Sequence, residues 1–297
     1  MSCKFDFKAD LKAAILDEAA HLELKISFSK PLYDILIDYL TVYHKFIPNR
    51  TRTVFVCPQL VFDLLTHPKA QEIKTIIEIA KRGGNLNPFQ SKRLLQANFH
   101  DHMITEWNIY HFHLSLERDK KSKFVKQVNS LLFAYIDDDN IVFLGVETHK
   151  DGVFADAKWW TLLHDNFPRL IEKYKSDAKD VYPPLSAIDR QRAWNAGLIT
   201  FMVKVHDVVY YSPNIGRASS GHNMVVPRQA MSILDWIDSI SKQLDKYYDA
   251  VCNALKVEST VAQYKVIIYG EDLILAEMSS SQQVLKFNEE FDLSKLG

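Results

Sequence analysis

The sequence contains no run of about eighteen consecutive apolar residues, the length that a membrane-spanning helix requires. Its start interleaves charged and apolar side chains, so we expect a protein that neither spans a membrane nor is exported through a signal peptide. The three cysteines, Cys3, Cys57 and Cys252, are odd in number and lack the spacing of a metal site. This pattern is typical of the reducing cytoplasm, which is the expected location.

Sequence motifs of several enzyme classes are also absent. The chain has no Gly-x-Gly-x-x-Gly, no phosphate-binding loop that ends in Lys-Ser or Lys-Thr, and no Gly-x-Ser-x-Gly. These absences argue against a dinucleotide-binding fold, a nucleotide hydrolase and a serine hydrolase. Lysine and arginine (36) nearly balance aspartate and glutamate (37), so any contact with nucleic acid must come from a local basic patch.

The composition that remains is that of an ordinary globular protein, with 47% hydrophobic and 25% charged residues. Apolar residues spaced by three and four predict two helices within residues 8–47 and a third over 71–82, which ends at Gly83-Gly84. Residues 51–58 have the composition of a short strand that Pro58 would stop. The first ninety or so residues are therefore predicted to be mainly helical.

From Trp107 onward the apolar period changes to two. Three strands are predicted, over 107–114, 129–136 and 140–149, and the last two form a hairpin around Asp137-Asp138-Asp139. A helical pattern over 155–175, interrupted at Pro168, should cover this sheet. After a polar, proline-containing linker at 175–184, a short helix, a strand pair, a long helix over 227–256 and further strands over 261–287 follow.

These patterns predict an α+β protein. A helical N-terminal region (1–98) leads into a small antiparallel sheet domain backed by a helix (99–178), and a smaller α/β domain (185–297) follows.

Histidines concentrate on the predicted strands. His100, His102, His111 and His113 fall within fourteen residues, and His149 ends the hairpin. Alternate side chains of a strand share a face, so His111 and His113 should project together. Glu147 and His149 should likewise share a face. If the polar faces of the two strands align, one carboxylate and up to three imidazoles converge.

Such a group suits general acid–base catalysis, because imidazole titrates near neutrality. Cleavage of a phosphodiester needs one group to accept the proton of a ribose 2′-hydroxyl, a second to protonate the leaving oxygen, and a cation on the phosphate. We expect Glu147 to be the general base and His111 or His113 the acid, with His149 in the same site. Lys126, Lys150 and Lys123 are the candidate phosphate-binding residues, and no metal or other cofactor is required. Arg118 also flanks these strands.

Two other interpretations stay open. His-x-His with a carboxylate and a distant histidine also resembles a site for a first-row metal ion. Alternatively, these side chains merely occupy a polar sheet face. His100-Asp101-His102 precedes the strand, where a capping or structural role is expected.

Residues 105–152 resemble the core of the RelE-type toxin ribonucleases, in which a helical segment precedes an antiparallel sheet. The resemblance is carried by the strand pair Leu131–Ile136 and Asn140–Glu147 and by Thr148-His149-Lys150-Asp151 after it. It implies an RNA substrate and metal-free chemistry. The pattern Trp107-x-Ile-x-His-x-His-Leu also resembles a signature of uncharacterised bacterial proteins.

The sequence-based hypothesis is thus a metal-independent bacterial-type endoribonuclease, a toxin or phage-defence effector, with RNA and a protein partner or antitoxin as partners. Two alternatives remain. One is a non-catalytic interaction protein with structural histidines, and the other is a metal-dependent nuclease that uses the same histidines.

Overall fold

The computed structural model describes residues 5–24, 26–27, 29–198, 200–214, 224–270, 272–289 and 291. Cys3, one of the three cysteines, lies outside these residues. The chain forms two compact units. Unit 1 comprises Met1–Val42, Leu95–Asn98 and Val225–Gly297, and unit 2 comprises Tyr43–Leu94 and Phe99–Met224. No helix of the described residues is both long enough and apolar enough to cross a membrane.

The helices of the described residues are, in chain order, α1 (Phe7–His21), α2 (Leu32–Tyr43), α3 (Pro58–Thr66), α4 (Ala70–Lys81), α5 (His102–Trp107), α6 (Lys158–Asn166), α7 (Pro168–Ile171), α8 (Ala187–Asn195) and α9 (Val225–Leu255). Short 3-10 turns occupy Asn87–Phe89, Lys92–Leu95, Val153–Ala155 and Glu172–Tyr174. The break expected at Pro168 separates α6 from α7, because proline is accepted at the first position of a helix but not in its interior.

The strands of the described residues are β1 (Thr53–Val56), β2 (Ile109–His113), β3 (Ser130–Ile136), β4 (Asn140–Thr148), β5 (Met202–Val205), β6 (Val208–Tyr211), β7 (Tyr264–Tyr269), β8 (Asp272–Glu277) and β9 (Gln282–Lys286). They form a four-stranded sheet in the order β1-β4-β3-β2, a β5-β6 hairpin and a three-stranded sheet β7-β8-β9. The predicted α+β fold class is confirmed, with mainly helical elements preceding the sheets.

The main sheet differs from the expected one at one edge. β2, β3 and β4 are antiparallel as predicted, but β1 adds a parallel strand beside β4, with Thr53 opposite Asn140 and Val56 opposite Phe143. Pro58 does end this strand, and it also begins α3, a helix that was not expected from the sequence pattern. Proline at the first position of a helix loses no intrahelical hydrogen bond, which explains how strand and helix follow each other directly.

The main sheet is buried on both faces. One face packs on a cluster to which α4 contributes Ile73, Ile76, Ile77 and Ala80. The other face is covered by α6, as expected: the ring of Trp159 stacks on Phe133 with centroids 4.2 Å apart. The polar residues of these strands therefore lie in a largely desolvated setting.

The compact units divide the chain differently from the domain boundaries that composition suggested. The linker 175–184 lies inside unit 2, and the backbone N–H of Ser176 donates to the carbonyl of Val209 in β6 at 2.8 Å. Val203 and Val205 of β5 belong to the same hydrophobic cluster as Trp159. In unit 1, α1 packs on β7 and on α9. The boundaries of the units depend on contacts between segments far apart in the chain, and local composition does not indicate such contacts.

Replacing Trp159 with alanine should lower the free energy of unfolding by about 3–5 kcal/mol, because the side chain is 1% exposed and its removal leaves a cavity against Phe133. Denaturant unfolding at pH 7 measures the change. Leu65→Ala on α3 is the control: this side chain is 78% exposed, and its loss should cost less than about 0.5 kcal/mol. Equal losses in the two variants would contradict the assigned packing.

Candidate functional site

The register of the main sheet places the predicted site residues on one face. Leu131 of β3 lies opposite His113 of β2 on one side and opposite Glu147 of β4 on the other. Side chains that are opposite each other share a face, and His111, two residues before His113, shares it as well. This agrees with the alternation in the sequence.

The three imidazoles on this face lie close together. The ring of His113 lies 5.9 Å from that of His149, with an angle of 28° between the planes, and 6.2 Å from that of His111. The Phe154 ring contacts His111 at 5.0 Å and His149 at 5.3 Å. We call His111, His113 and His149 the histidine cluster.

Access to the histidine cluster from solvent is uneven. His111 and His113 are 8% and 4% exposed, because the strand that carries them is buried and Phe154 lies against His111. His149 follows the end of β4 and is exposed. Of the three rings, that of His149 is therefore the one most accessible to solvent.

Burial also sets the charge of the cluster. Burial, with a smaller contribution from the charge of the neighbouring His149, lowers the pKa of both His111 and His113 to about 4. The pKa of His149 is also lowered by burial. His111 and His113 are therefore neutral near pH 7, so neither has a proton to give as a general acid under those conditions.

One nitrogen of His113 is fixed by the backbone. Its Nδ1 lies 2.8 Å from the carbonyl oxygen and 3.2 Å from the nitrogen of Val128. When Nδ1 donates to the carbonyl, which is the shorter contact, Nε2 carries the lone pair and is able to accept a proton.

A buried carboxylate lies behind His111. The Asp101 side chain caps α5 by accepting from the backbone N–H of Ile104 at 3.2 Å, which agrees with its expected capping role. Its Oδ2 is also 3.8 Å from His111 Nδ1. Burial raises the pKa of Asp101 to about 6, an effect that the charge of Lys45 opposes. Burial lowers the pKa of Lys45 to about 8.

Glu147 lies on the same sheet face as the histidine cluster, but its carboxylate binds the ammonium groups of two lysines. Its Oε2 accepts from Lys150 at 2.8 Å, and its Oε1 accepts from Lys158 at the start of α6. Burial by itself would raise the pKa of Glu147, but the two lysine hydrogen bonds outweigh burial and lower it. Among the described residues Glu147 hydrogen-bonds to no histidine. A carboxylate held in this way is a weak base.

The other two predicted phosphate-binding lysines lie on the segment between β2 and β3. Lys126 Nζ lies 3.4 Å from the Glu117 carboxylate, and both side chains are mostly exposed. Lys123 lies three residues earlier, between Arg118 and Val125, which form an isolated β-bridge. Of the three expected lysines, Lys150 is the one hydrogen-bonded to Glu147.

Three residues of this site were not assigned to it from the sequence: Lys158, Asp101 and Phe154. Lys158 follows the strand by ten residues, and only the turn at Val153–Ala155 brings α6 back to Glu147. The sequence indicated a capping or structural role for Asp101, but nothing in it indicated that Asp101 lies near His111. Among the described residues, the histidine cluster does not bring three ligand atoms within 4.8 Å of one another.

Comparisons of this chain with protein-family models, with curated proteins and with solved structures find no match. The resemblance of residues 105–152 to RelE-type toxins therefore stays a prediction.

The cluster's protonation state is directly measurable. We expect the ring signals of His111 and His113 in an NMR titration to stay unchanged from pH 8 to about 6 and to titrate near pH 4. His149→Ala should move the His111 midpoint upward, because a positive charge beside it is removed. Midpoints at or above 6.5 would contradict the described burial of these rings.

Proposed function

We propose that this protein is a metal-independent endoribonuclease that binds single-stranded RNA where His149, Lys150 and Lys158 meet at the exposed end of the histidine cluster. The observation that carries the proposal is that Glu147, two residues before the exposed His149, holds the ammonium groups of both Lys150 and Lys158. A base and a source of positive charge are two of the three requirements of phosphodiester cleavage, and an acid for the leaving oxygen is the third.

His149 is the general base in this proposal. It is the exposed member of the cluster, and its lowered pKa leaves it neutral at pH 7 and ready to accept a proton. His113 lies beside it with a nearly parallel ring. The ring of Phe154 lies against that of His149, with centroids 5.3 Å apart. His113 and Phe154 thus act as positioning residues.

Lys150 and Lys158 neutralise the phosphate. Each ammonium group has three N–H donors, so hydrogen bonding to Glu147 leaves donors for phosphate oxygens. Glu147 changes from the expected base to a positioning residue, because its lowered pKa suits a carboxylate that orders cations. The acid is also reassigned: Lys150 replaces His111 or His113, which are neutral near pH 7.

The reaction balances with these groups. The ribose 2′-oxygen forms a bond to phosphorus as His149 takes its proton, and the bond from phosphorus to the 5′-oxygen breaks. Lys150 gives a proton to that leaving oxygen. The products are a 2′,3′-cyclic phosphate and a 5′-hydroxyl.

That RNA is the substrate is part of this proposal. A toxin or defence role, a protein antitoxin and a cytoplasmic location stay predictions from the sequence.

Removing the base should lower the rate most. We expect His149→Ala to lower kcat on a fluorogenic single-stranded RNA by about 100-fold to 10,000-fold, the range for a positioned general base. Lys150→Ala and Glu147→Gln should lower it as well, with circular dichroism unchanged. Excess chelator should leave the wild-type rate as it is.

The matched control is an ion pair of the same spacing away from the site. Glu78 and Lys81 on α4 form an exposed pair three residues apart at 2.8 Å, as Glu147 and Lys150 do. Lys81→Ala should cleave RNA at the wild-type rate. Undiminished cleavage by His149→Ala would refute the assigned base, loss of activity with chelator would favour a metal nuclease, and no cleavage by the wild-type protein would refute the proposal.

A further inference from the structure

A second group of histidines lies at the other end of α6. His164 and Asp165 are in the last turn of that helix, and His206 lies in the two-residue turn between β5 and β6. The turn requires a positive φ, and His206 has φ 51°. Because α6 packs on β5, residues forty apart in the chain come together.

The ligand atoms of His164, Asp165 and His206 all lie within 4.8 Å of one another. His206 Nε2 is 3.1 Å from Asp165 Oδ1, and the rings of His164 and His206 are 5.4 Å apart. In a tetrahedral site with metal–ligand distances of about 2.0–2.1 Å, neighbouring ligand atoms lie about 3.3 Å apart. Small side-chain rotations would bring these three atoms to that spacing.

We propose that His164, Asp165 and His206 bind a first-row divalent cation of the zinc class. Two imidazoles with one carboxylate suit Zn²⁺ and its neighbours rather than Mg²⁺ or Ca²⁺, which prefer oxygen ligands. We call these three residues the metal-ligand group.

The environment of His164 supports this assignment. Its Nδ1 lies 2.8 Å from the hydroxyl of Tyr210, which is 3% exposed and whose ring packs on Trp160. A histidine that binds a metal through one ring nitrogen commonly donates a hydrogen bond from its other ring N–H to an oxygen atom. This hydrogen bond orients the ring toward the metal. When Nδ1 donates to Tyr210, Nε2 of His164 carries the free lone pair. Tyr210 is therefore a positioning residue of the metal-ligand group.

The site is open on one side. The side chains of Asp165 and His206 are 47% and 59% exposed, so solvent reaches the ion. Three protein ligands leave at least one coordination position for water, which is the arrangement of catalytic rather than structural zinc sites.

An ordinary surface His–Asp pair lacks these features. His21 and Asp17 on α1 lie 3.7 Å apart, and both side chains are exposed. Both pairs join a histidine to an aspartate, but no metal-binding group of the described residues includes His21. The variant His21→Ala is the matched control, because it removes a histidine that is paired with an aspartate but is not part of the metal-ligand group.

The test uses the full chain after chelator treatment. Calorimetric titration with Zn²⁺ should show one ion per chain, and titration with Co²⁺ should produce visible absorption bands. His206→Ala and Asp165→Ala should weaken binding by at least about 100-fold, and Tyr210→Phe by about 10-fold to 100-fold with the Co²⁺ spectrum unchanged in form. Zn²⁺ should raise the Tm of the wild-type protein and of His21→Ala, but not that of His206→Ala.

Zn²⁺ affinity unchanged in both His206→Ala and Asp165→Ala would overturn the site, and so would a wild-type chain that takes up no Zn²⁺ at 100-fold excess. Loss of binding in His21→Ala would equally count against it. Circular dichroism of each metal-free variant separates loss of a ligand from loss of the fold. None of these measurements depends on ribonuclease activity. The metal site can therefore be refuted while the proposed function stands, and the proposed function can be refuted while the metal site stands.

Discussion

Desolvation of the main sheet is the constraint on which the candidate site depends. Both faces of this sheet are covered, one by the cluster that includes α4 and the other by α6. A polar side chain in such a place must be neutral or have a partner. His111 and His113 meet this requirement by losing charge, and their pKa falls to about 4. Glu147, nearer the exposed end, keeps its charge because Lys150 and Lys158 bind it.

The same constraint determines the roles that we propose. The exposed imidazole of His149 is suited to accepting a proton at pH 7, whereas His111 and His113, with pKa values near 4, are weak bases. A carboxylate already paired with lysines, as in Glu147, is suited to holding those cations in place. The positive charge for a phosphate therefore comes from lysines near Glu147 and not from the histidines. α6 contributes at both ends, with Lys158 at the proposed ribonuclease site and His164 and Asp165 in the metal-ligand group.

Local patterns predicted the parts of the fold that depend on local physics. The alternation over 129–149 predicted the β3–β4 hairpin, whereas the shared face of His113 and Glu147 also depends on the register of β2 with β3 and of β3 with β4. The parallel pairing of β1 with β4, and the inclusion of 175–184 in unit 2, arise from contacts between distant segments. Residue types also cannot indicate desolvation, so the neutral state of His111 was not predictable from the sequence. The contact between Lys158 and Glu147 was also not predictable, because it depends on the turn at Val153–Ala155 that brings α6 back toward β4.

The chemical form of the RNA ends tests the central claim most directly. Attack by a 2′-hydroxyl, with His149 as base, predicts fragments ending in 2′,3′-cyclic phosphate and 5′-hydroxyl, formed in the presence of chelator. A single 2′-deoxynucleotide at the cleaved position should block the cut at that position alone. Mass spectrometry of the fragments distinguishes these ends from those of metal-dependent hydrolysis by an activated water. Fragments with 3′-hydroxyl and 5′-phosphate ends, or cleavage at the 2′-deoxy position, would contradict the account.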